Sequence, residues 1–145
     1  MKFKFIKTRN PEYLQECMLR WEVQHKPLGV PPDPSLFPED ENSLHLVAME
    51  GKEVVGCVIF HPTEVGSGEM EPLTISETYR GVGFGRKLIQ ALEQALIKRG
   101  INEVMLFARE EAIGFYHDLG YHLESQKINK YGVTHVAMKK MLAAG

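Results

Sequence analysis

The sequence predicts a single α/β (α+β) domain spanning residues 1–145. Three observations point to it. The chain has 145 residues, about one domain's worth, and enough to bury roughly 70% of its unfolded surface without a disulfide or metal. Its apolar pattern switches between the period of strands and the period of helices, in the order β-α-β-β-β-α-β-α-β-β. No linker, internal repeat or low-complexity tract interrupts that order.

Composition removes several function classes. Charged residues are 25% and apolar residues 43%, as in ordinary soluble domains. A formal net charge of −2 and a pI near 6.3 argue against a nucleic-acid partner held by phosphate neutralisation. No apolar run approaches the ~18 residues of a membrane span, and MKFKFIKTRN has no signal-peptide apolar region. Cys17 and Cys57 stand outside any CxxC or Cys/His metal spacing, which suits small buried side chains in a reducing cytosol. The expectation is a cytoplasmic protein with no membrane partner, no nucleic-acid partner and no metal.

The elements follow in order. KFKFIKT (2–8) alternates lysine with apolar residues and reads as an edge strand. Asn10 is the expected N-cap of a first helix, with Pro11 at its first position and Glu12 near the positive dipole end. Leu14, Cys17, Met18 and Trp21 form its expected buried stripe. Five prolines in residues 25–42 forbid a long helix there and suggest a binding loop or a plain mobile loop. LHLVAME (44–50) and EVVGCVIF (53–60) flank Gly51-Lys52 as a hairpin. A turn over Gly66–Glu69 leads to a strand, MEPLTIS (70–76), which Pro72 marks as locally broken. RKLIQALEQALIKRG (86–100) is a helix with Leu88, Leu92, Ala95 and Leu96 on one face, ended by Gly100. A buried strand (101–108), a short helix (109–120) and two closing strands around Lys130-Tyr131-Gly132 complete the chain.

Between strand and helix lies RGVGFG (80–85). The position five after Gly81 is Arg86, so neither the GxxxxGK[ST] nor the GxGxxG nucleotide fingerprint is met. The physical features remain. Glycines let the backbone approach a ligand, the following helix N-terminus offers free N–H groups, and Arg80 and Arg86 suit phosphate oxygens. An anion-binding loop and a tight structural turn both satisfy these features.

With its flanking elements, this segment resembles the acetyl-CoA signature Q/R-x-x-G-x-G/A of the GCN5-related N-acetyltransferase (GNAT) family. Arg80, Gly83 and Gly85 fill its fixed positions. A second segment, Ala112–Tyr121 (AIGFYHDLGY), resembles the family's A-x-x-F-Y-x-x-x-G-F/Y element. The order of elements agrees from end to end. The resemblance implies a mixed, mostly antiparallel sheet, splayed into a V-shaped cleft and carrying helices on both faces. It implies an acyl-CoA co-substrate, acetyl by default, with its pyrophosphate on the amides of Gly81, Val82, Gly83, Phe84, Gly85 and Arg86. It also implies that backbone groups of the strand Leu73-Thr74-Ile75 hold the pantetheine arm. Phe115 would pack near the cofactor.

The implied reaction is direct transfer of an acetyl group to an amine. Tyr116 is the expected proton donor to the departing thiolate. Ala112, Phe115, Tyr116 and Leu119 also form a helical stripe, so a core role is the alternative. Glu71, then Glu69, are the expected bases beside the central strand, and His135 can reach the acceptor side. Each has an ordinary structural alternative, and a water chain is a further route for the proton. Trp21, His25, Leu28 and the acidic run Glu39-Asp40-Glu41 fall where an acceptor site is expected. The acceptor is a small-molecule or peptide amine, and the resemblance favours a homodimer. A non-enzymatic acyl-CoA binding module is the alternative function.

Overall fold

The computed structural model describes residues 1–143. Its strands are β1 (Lys2–Ile6), β2 (Leu44–Glu50), β3 (Glu53–Glu64), β4 (Ser67–Met70), β5 (Thr74–Ile75), β6 (Glu103–Arg109), β7 (His122–Lys130) and β8 (Val133–Met141). The helices are α1 (Glu12–Arg20), α2 (Phe84–Lys98) and α3 (Ile113–Asp118). The sheet order is β1-β2-β3-β4-β6-β8-β7, with β5 on β3. Only the β4–β6 pair is parallel; every other pair is antiparallel.

Strand alternation builds two cores. Leu46, Ala48, Val58 and Phe60 face one way and pack with Leu88, Leu92 and Leu96 of α2 and Tyr116 of α3. Val47, Met49, Cys57 and Ile59 face the other way and pack with Leu19 of α1. Helices therefore cover both faces, as the mixed α/β reading requires.

The strand expected over 70–76 is two strands. β4 pairs with β6 only from Ser67↔Glu103 to Glu69↔Met105. After Glu71-Pro72, β5 pairs with β3 alone, through Thr74↔Cys57 and Ile75↔Gly56. Proline offers no N–H to a ladder, and the sheet opens between β5 and β6 where it stands. This is the expected V-shaped cleft. The residues expected as a turn at Gly66–Glu69 are mostly β4, because β3 runs on to Glu64.

The first helix differs from expectation. It begins at Glu12 with Pro11 at the cap, and the Asn10 side chain caps no helix amide, although its carbonyl accepts from the Tyr13 N–H at 3.0 Å. Instead the Asn10 Oδ1 accepts from the Lys7 N–H at 2.6 Å. Half of the expected apolar stripe is outside, with Leu14 74% exposed and Met18 52%, while Cys17 and Trp21 are half-buried. The inward face carries Glu16, Leu19 and Arg20. A buried ionic network explains this. Arg20 contacts Asp40 at 2.7 Å and Glu16 at 3.3 Å. His45 donates from Nδ1 to Glu16 at 2.9 Å and from Nε2 to the Asp40 carbonyl at 2.7 Å. Both partners only accept, so both ring nitrogens carry protons and two cations balance two carboxylates. Burial opposes the His45 charge, but Glu16 outweighs it and raises the pKa.

Charge satisfaction thus fixes the rotation of α1. Its helical run continues as a π-helical turn, Trp21–His25, and short 3₁₀ turns at Lys26–Leu28, Pro34–Leu36 and Asp40–Asn42 punctuate the proline-rich segment. Arg20→Met leaves two buried carboxylates facing one imidazolium. It is expected to destabilise the fold by about 3–5 kcal/mol in urea unfolding. Leu14→Ala, on the exposed face, is expected to change stability by no more than about 0.5 kcal/mol.

Candidate active site

The cleft between β5 and β6 brings together a backbone donor and a phenol. Tyr116 lies in α3 and is 3% exposed. Its Oη accepts from the Leu73 N–H at 2.9 Å. Burial raises the phenol to about 12, with the Leu73 N–H acting in the opposite sense. Tyr116 is therefore protonated at neutral pH, and its own O–H remains to be donated. Phe115 stacks edge-on against it at 5.1 Å and is itself 37% exposed.

A cavity of about 250 Å³ runs from this point. Val23, Gln24, His25 and Leu28 line one side, with Leu36 and Phe37 beyond them. Glu71, Pro72 and Leu73 form the floor. Lys130, Tyr131 and His135 close it from the β7–β8 end. Tyr116 and His135 thus share one cavity with Glu71. Glu69 lies on β4 and is not part of the lining; burial, then Glu71, raise its pKa.

Glu71 retains a backbone bond to Ile59 at 2.8 Å. Its carboxylate accepts from His61 Nε2 at 2.9 Å, and His61 Nδ1 meets Ser43 Oγ. Burial pushes the Glu71 carboxyl up, but the His61 bond and the charges of Arg20 and Lys130 outweigh it and hold it at about 2. His135 donates from Nδ1 to the Val133 carbonyl at 2.9 Å, which fixes its ring.

His61 and Ser43 were not legible as site residues. Only the β3–β4 register, which sets His61 opposite Glu69, shows that this strand end abuts Glu71. His25 is buried, and its Nδ1 has no partner among the described residues. Burial lowers its pKa, helped by Lys130 and Arg20. The expected acidic rim is only partial, since Asp40 points inward to Arg20 and Tyr13. Trp21 clamps the loop, donating from Nε1 to the Val30 carbonyl at 2.8 Å.

The glycine loop divides by role. Gly81 and Gly83 have φ of +79° and +85°, which side-chain-bearing residues rarely adopt. Gly83 caps α2 without a side-chain bond, and Val82 is exposed. The N–H groups of Gly81, Val82 and Gly83 make no backbone bond among the described residues. Gly85 sits inside the helix, where an added Cβ would lie 2.7 Å from Leu73 Cδ2. Its missing side chain lets α2 press on the cleft strand. Phe84, expected at a ligand-facing amide, begins the helix two residues earlier than predicted and buries its ring. Arg80 donates from Nε to the Ile75 carbonyl at 3.1 Å, while Arg86 is exposed on the first turn. Thr74 is buried, and its hydroxyl accepts from Gln24, which lines the cavity.

The chain belongs to the acetyltransferase (GNAT) family, whose model matches residues 10–121. It is 29% identical over 139 residues to the Bacillus subtilis (strain 168) protein named uncharacterized N-acetyltransferase YjcF, covering 94% of this chain and 99% of that one. Its fold is similar to that of an acyl-CoA N-acyltransferase from Pseudomonas aeruginosa, with TM-score 0.82, 18% identity, and 96% and 98% of the two chains covered. It is equally similar to an aminoglycoside 6'-N-acetyltransferase complexed with coenzyme A, with TM-score 0.82, 17% identity, and 99% and 98% covered.

The depressed Glu71 pKa has a stability consequence. The folded state favours the carboxylate, so this stabilisation is complete above the ordinary value of 4.5 and is lost as pH falls toward 2. Glu71→Gln is expected to flatten that part of an acid-unfolding curve.

Proposed function

We propose that the protein is an acetyl-CoA-dependent N-acyltransferase that moves an acetyl group directly to an amine of a small molecule or peptide. The observation that carries this reading is the meeting of the Leu73 N–H with the Tyr116 hydroxyl at the open cleft. The co-substrate supplies an acyl group activated as a thioester. The free amides of Gly81, Val82 and Gly83, at the positive end of α2, suit its pyrophosphate, with Arg80 and Arg86 beside them. The splayed strand at Leu73-Thr74-Ile75 suits the pantetheine arm.

Each group then has one task. The Leu73 N–H hydrogen-bonds the oxygen on which negative charge develops. Tyr116 gives its proton to the departing thiolate as the thioester bond breaks and the amide bond forms. Glu71 draws the ammonium of the acceptor toward the reacting end. A carboxyl held at about 2 is a weak base, and the Nε2–H of His61 is already donated to it, so Glu71 orients the acceptor and the amine proton leaves through water. His135 stands on the acceptor side as a hydrogen-bonding wall. Covalent transfer through cysteine has no support, because Cys57 is fully buried and Cys17 does not line the cavity.

Calorimetric titration with acetyl-CoA, CoA, ATP and NADH tests the cofactor reading. Selective binding of the two CoA species is expected; preference for ATP or NADH would overturn it. Gly83→Asp should weaken that binding. Tyr116→Phe should lower turnover about 10²-fold or more while acetyl-CoA affinity stays within about twofold. Glutamine at position 61 can still donate to Glu71, whereas leucine cannot. His61→Leu is therefore expected to raise the acceptor KM about tenfold with acetyl-CoA binding intact, while His61→Gln stays within about threefold; equal KM in the two variants would end this role.

A further inference from the structure

The acceptor end of the cavity has a definite chemistry. Its walls are apolar: Val23 and Leu28 from the chain after α1, Leu36 and Phe37 from the proline-rich segment. All four are partly exposed, so they present apolar surface to the cavity rather than to a closed core. An aromatic corner completes the wall. The His25 ring meets Phe37 edge-on at 5.6 Å and Tyr131 at 5.2 Å. Burial favours the neutral form of His25, and its Nδ1, unpartnered among the described residues, can serve one hydrogen bond to a ligand or a water.

The charges are equally selective. Glu71 is the anion at the reacting end. Arg109 and Glu111, also on the lining, face each other at 3.7 Å and largely cancel. Lys130 lines the cavity and has no ion pair among the described residues. A first ammonium is drawn to Glu71. A second one meets Lys130, whose charge also acts on Glu71, and apolar side chains; the other carboxylate of the lining, Glu111, already faces Arg109. The one acidic residue of the neighbouring run that is buried, Asp40, is consumed by Arg20.

We propose that the acceptor is a singly charged primary amine on a compact aromatic or aliphatic body, and not a polyamine, an aminoglycoside or a lysine-bearing peptide. The inference rests on the acetyltransferase reading above and deepens it. A cavity of about 250 Å³, shared with the transferring acetyl group, suits a body of one ring rather than several. The ammonium pairs with Glu71, the ring packs against Leu36, Phe37 and Tyr131, and Lys130 disfavours a second positive charge.

The test has two stages. Acetyl-CoA binding is first measured by calorimetry; its absence would sink the acetyltransferase reading itself. Thiol release from acetyl-CoA is then followed with 2-phenylethylamine, spermidine, kanamycin and a blocked lysine peptide. The expected kcat/KM for 2-phenylethylamine is at least about tenfold above each of the others. Leu36→Asp should raise its KM about tenfold and leave acetyl-CoA affinity unchanged. Lys130→Glu, at an exposed side chain, should narrow the gap to spermidine to about threefold or less. Equal or better use of any of the other three, or no transfer to 2-phenylethylamine by protein that binds acetyl-CoA, would overturn the proposal while leaving the cofactor reading standing.

Discussion

The site depends on one missing hydrogen. Pro72 has no N–H, so the strand that begins as β4 cannot continue its ladder through that residue. The pairing with β6 ends at Glu69↔Met105, and the chain resumes only as β5 on β3. Between them, the Leu73 N–H is left without a strand partner and turns to the Tyr116 hydroxyl. The opening of the sheet, the exposure of a backbone donor and the docking of α3 beside it are one event. Gly85 assists from the other side. With no Cβ, it lets α2 approach Leu73 closely enough to hold the separated strand in place.

The wall proposed for the acceptor depends on a different device. Residues 25–42 contain too many prolines for a helix, yet their ends are tied down. Arg20 reaches across to Asp40, and its guanidinium lies 3.8 Å from the Phe37 ring centroid. His45 fastens the same loop by its bond to the Asp40 carbonyl. A buried ion group gains little net stability against its desolvation. Here it specifies geometry instead: it sets the rotation of α1, the path of the loop and the position of Phe37 over the cavity.

These two devices explain what was legible in the sequence. The order of elements follows from periodicity, and α2 buries Leu88, Leu92 and Leu96 as its spacing requires. The break at Pro72 follows from the chemistry of one residue. The orientation of α1 does not, because a rule that turns apolar residues inward has no means of knowing that Glu16 and Arg20 find Asp40 and His45 from elsewhere in the chain. Leu14 and Met18 are exposed for that reason. His61 was hidden similarly. Its link to Glu71 is a fact of strand register, and register belongs to the pairing rather than to either strand alone. The glycines were legible as a group but not by role: conformation at Gly81 and Gly83, space at Gly85.

The Leu73–Tyr116 contact also bears on how the cleft accepts a ligand. A buried N–H without a partner is costly, and an oxyanion donor kept unpaired in the free protein would carry that penalty before each turnover. Tyr116 removes it by accepting the bond while the cleft is open. In the proposed reaction, a carbonyl oxygen entering the cleft exchanges one acceptor for another at Leu73, and the donor needs no reorganisation. The exchange returns the phenol oxygen from a shared hydrogen bond to a free one. The Leu73 N–H, which lowers the phenol pKa, is then withdrawn, so the phenol holds its proton until the thiolate of the proposed reaction forms. One hydrogen bond thus holds both groups in register until substrate separates their tasks.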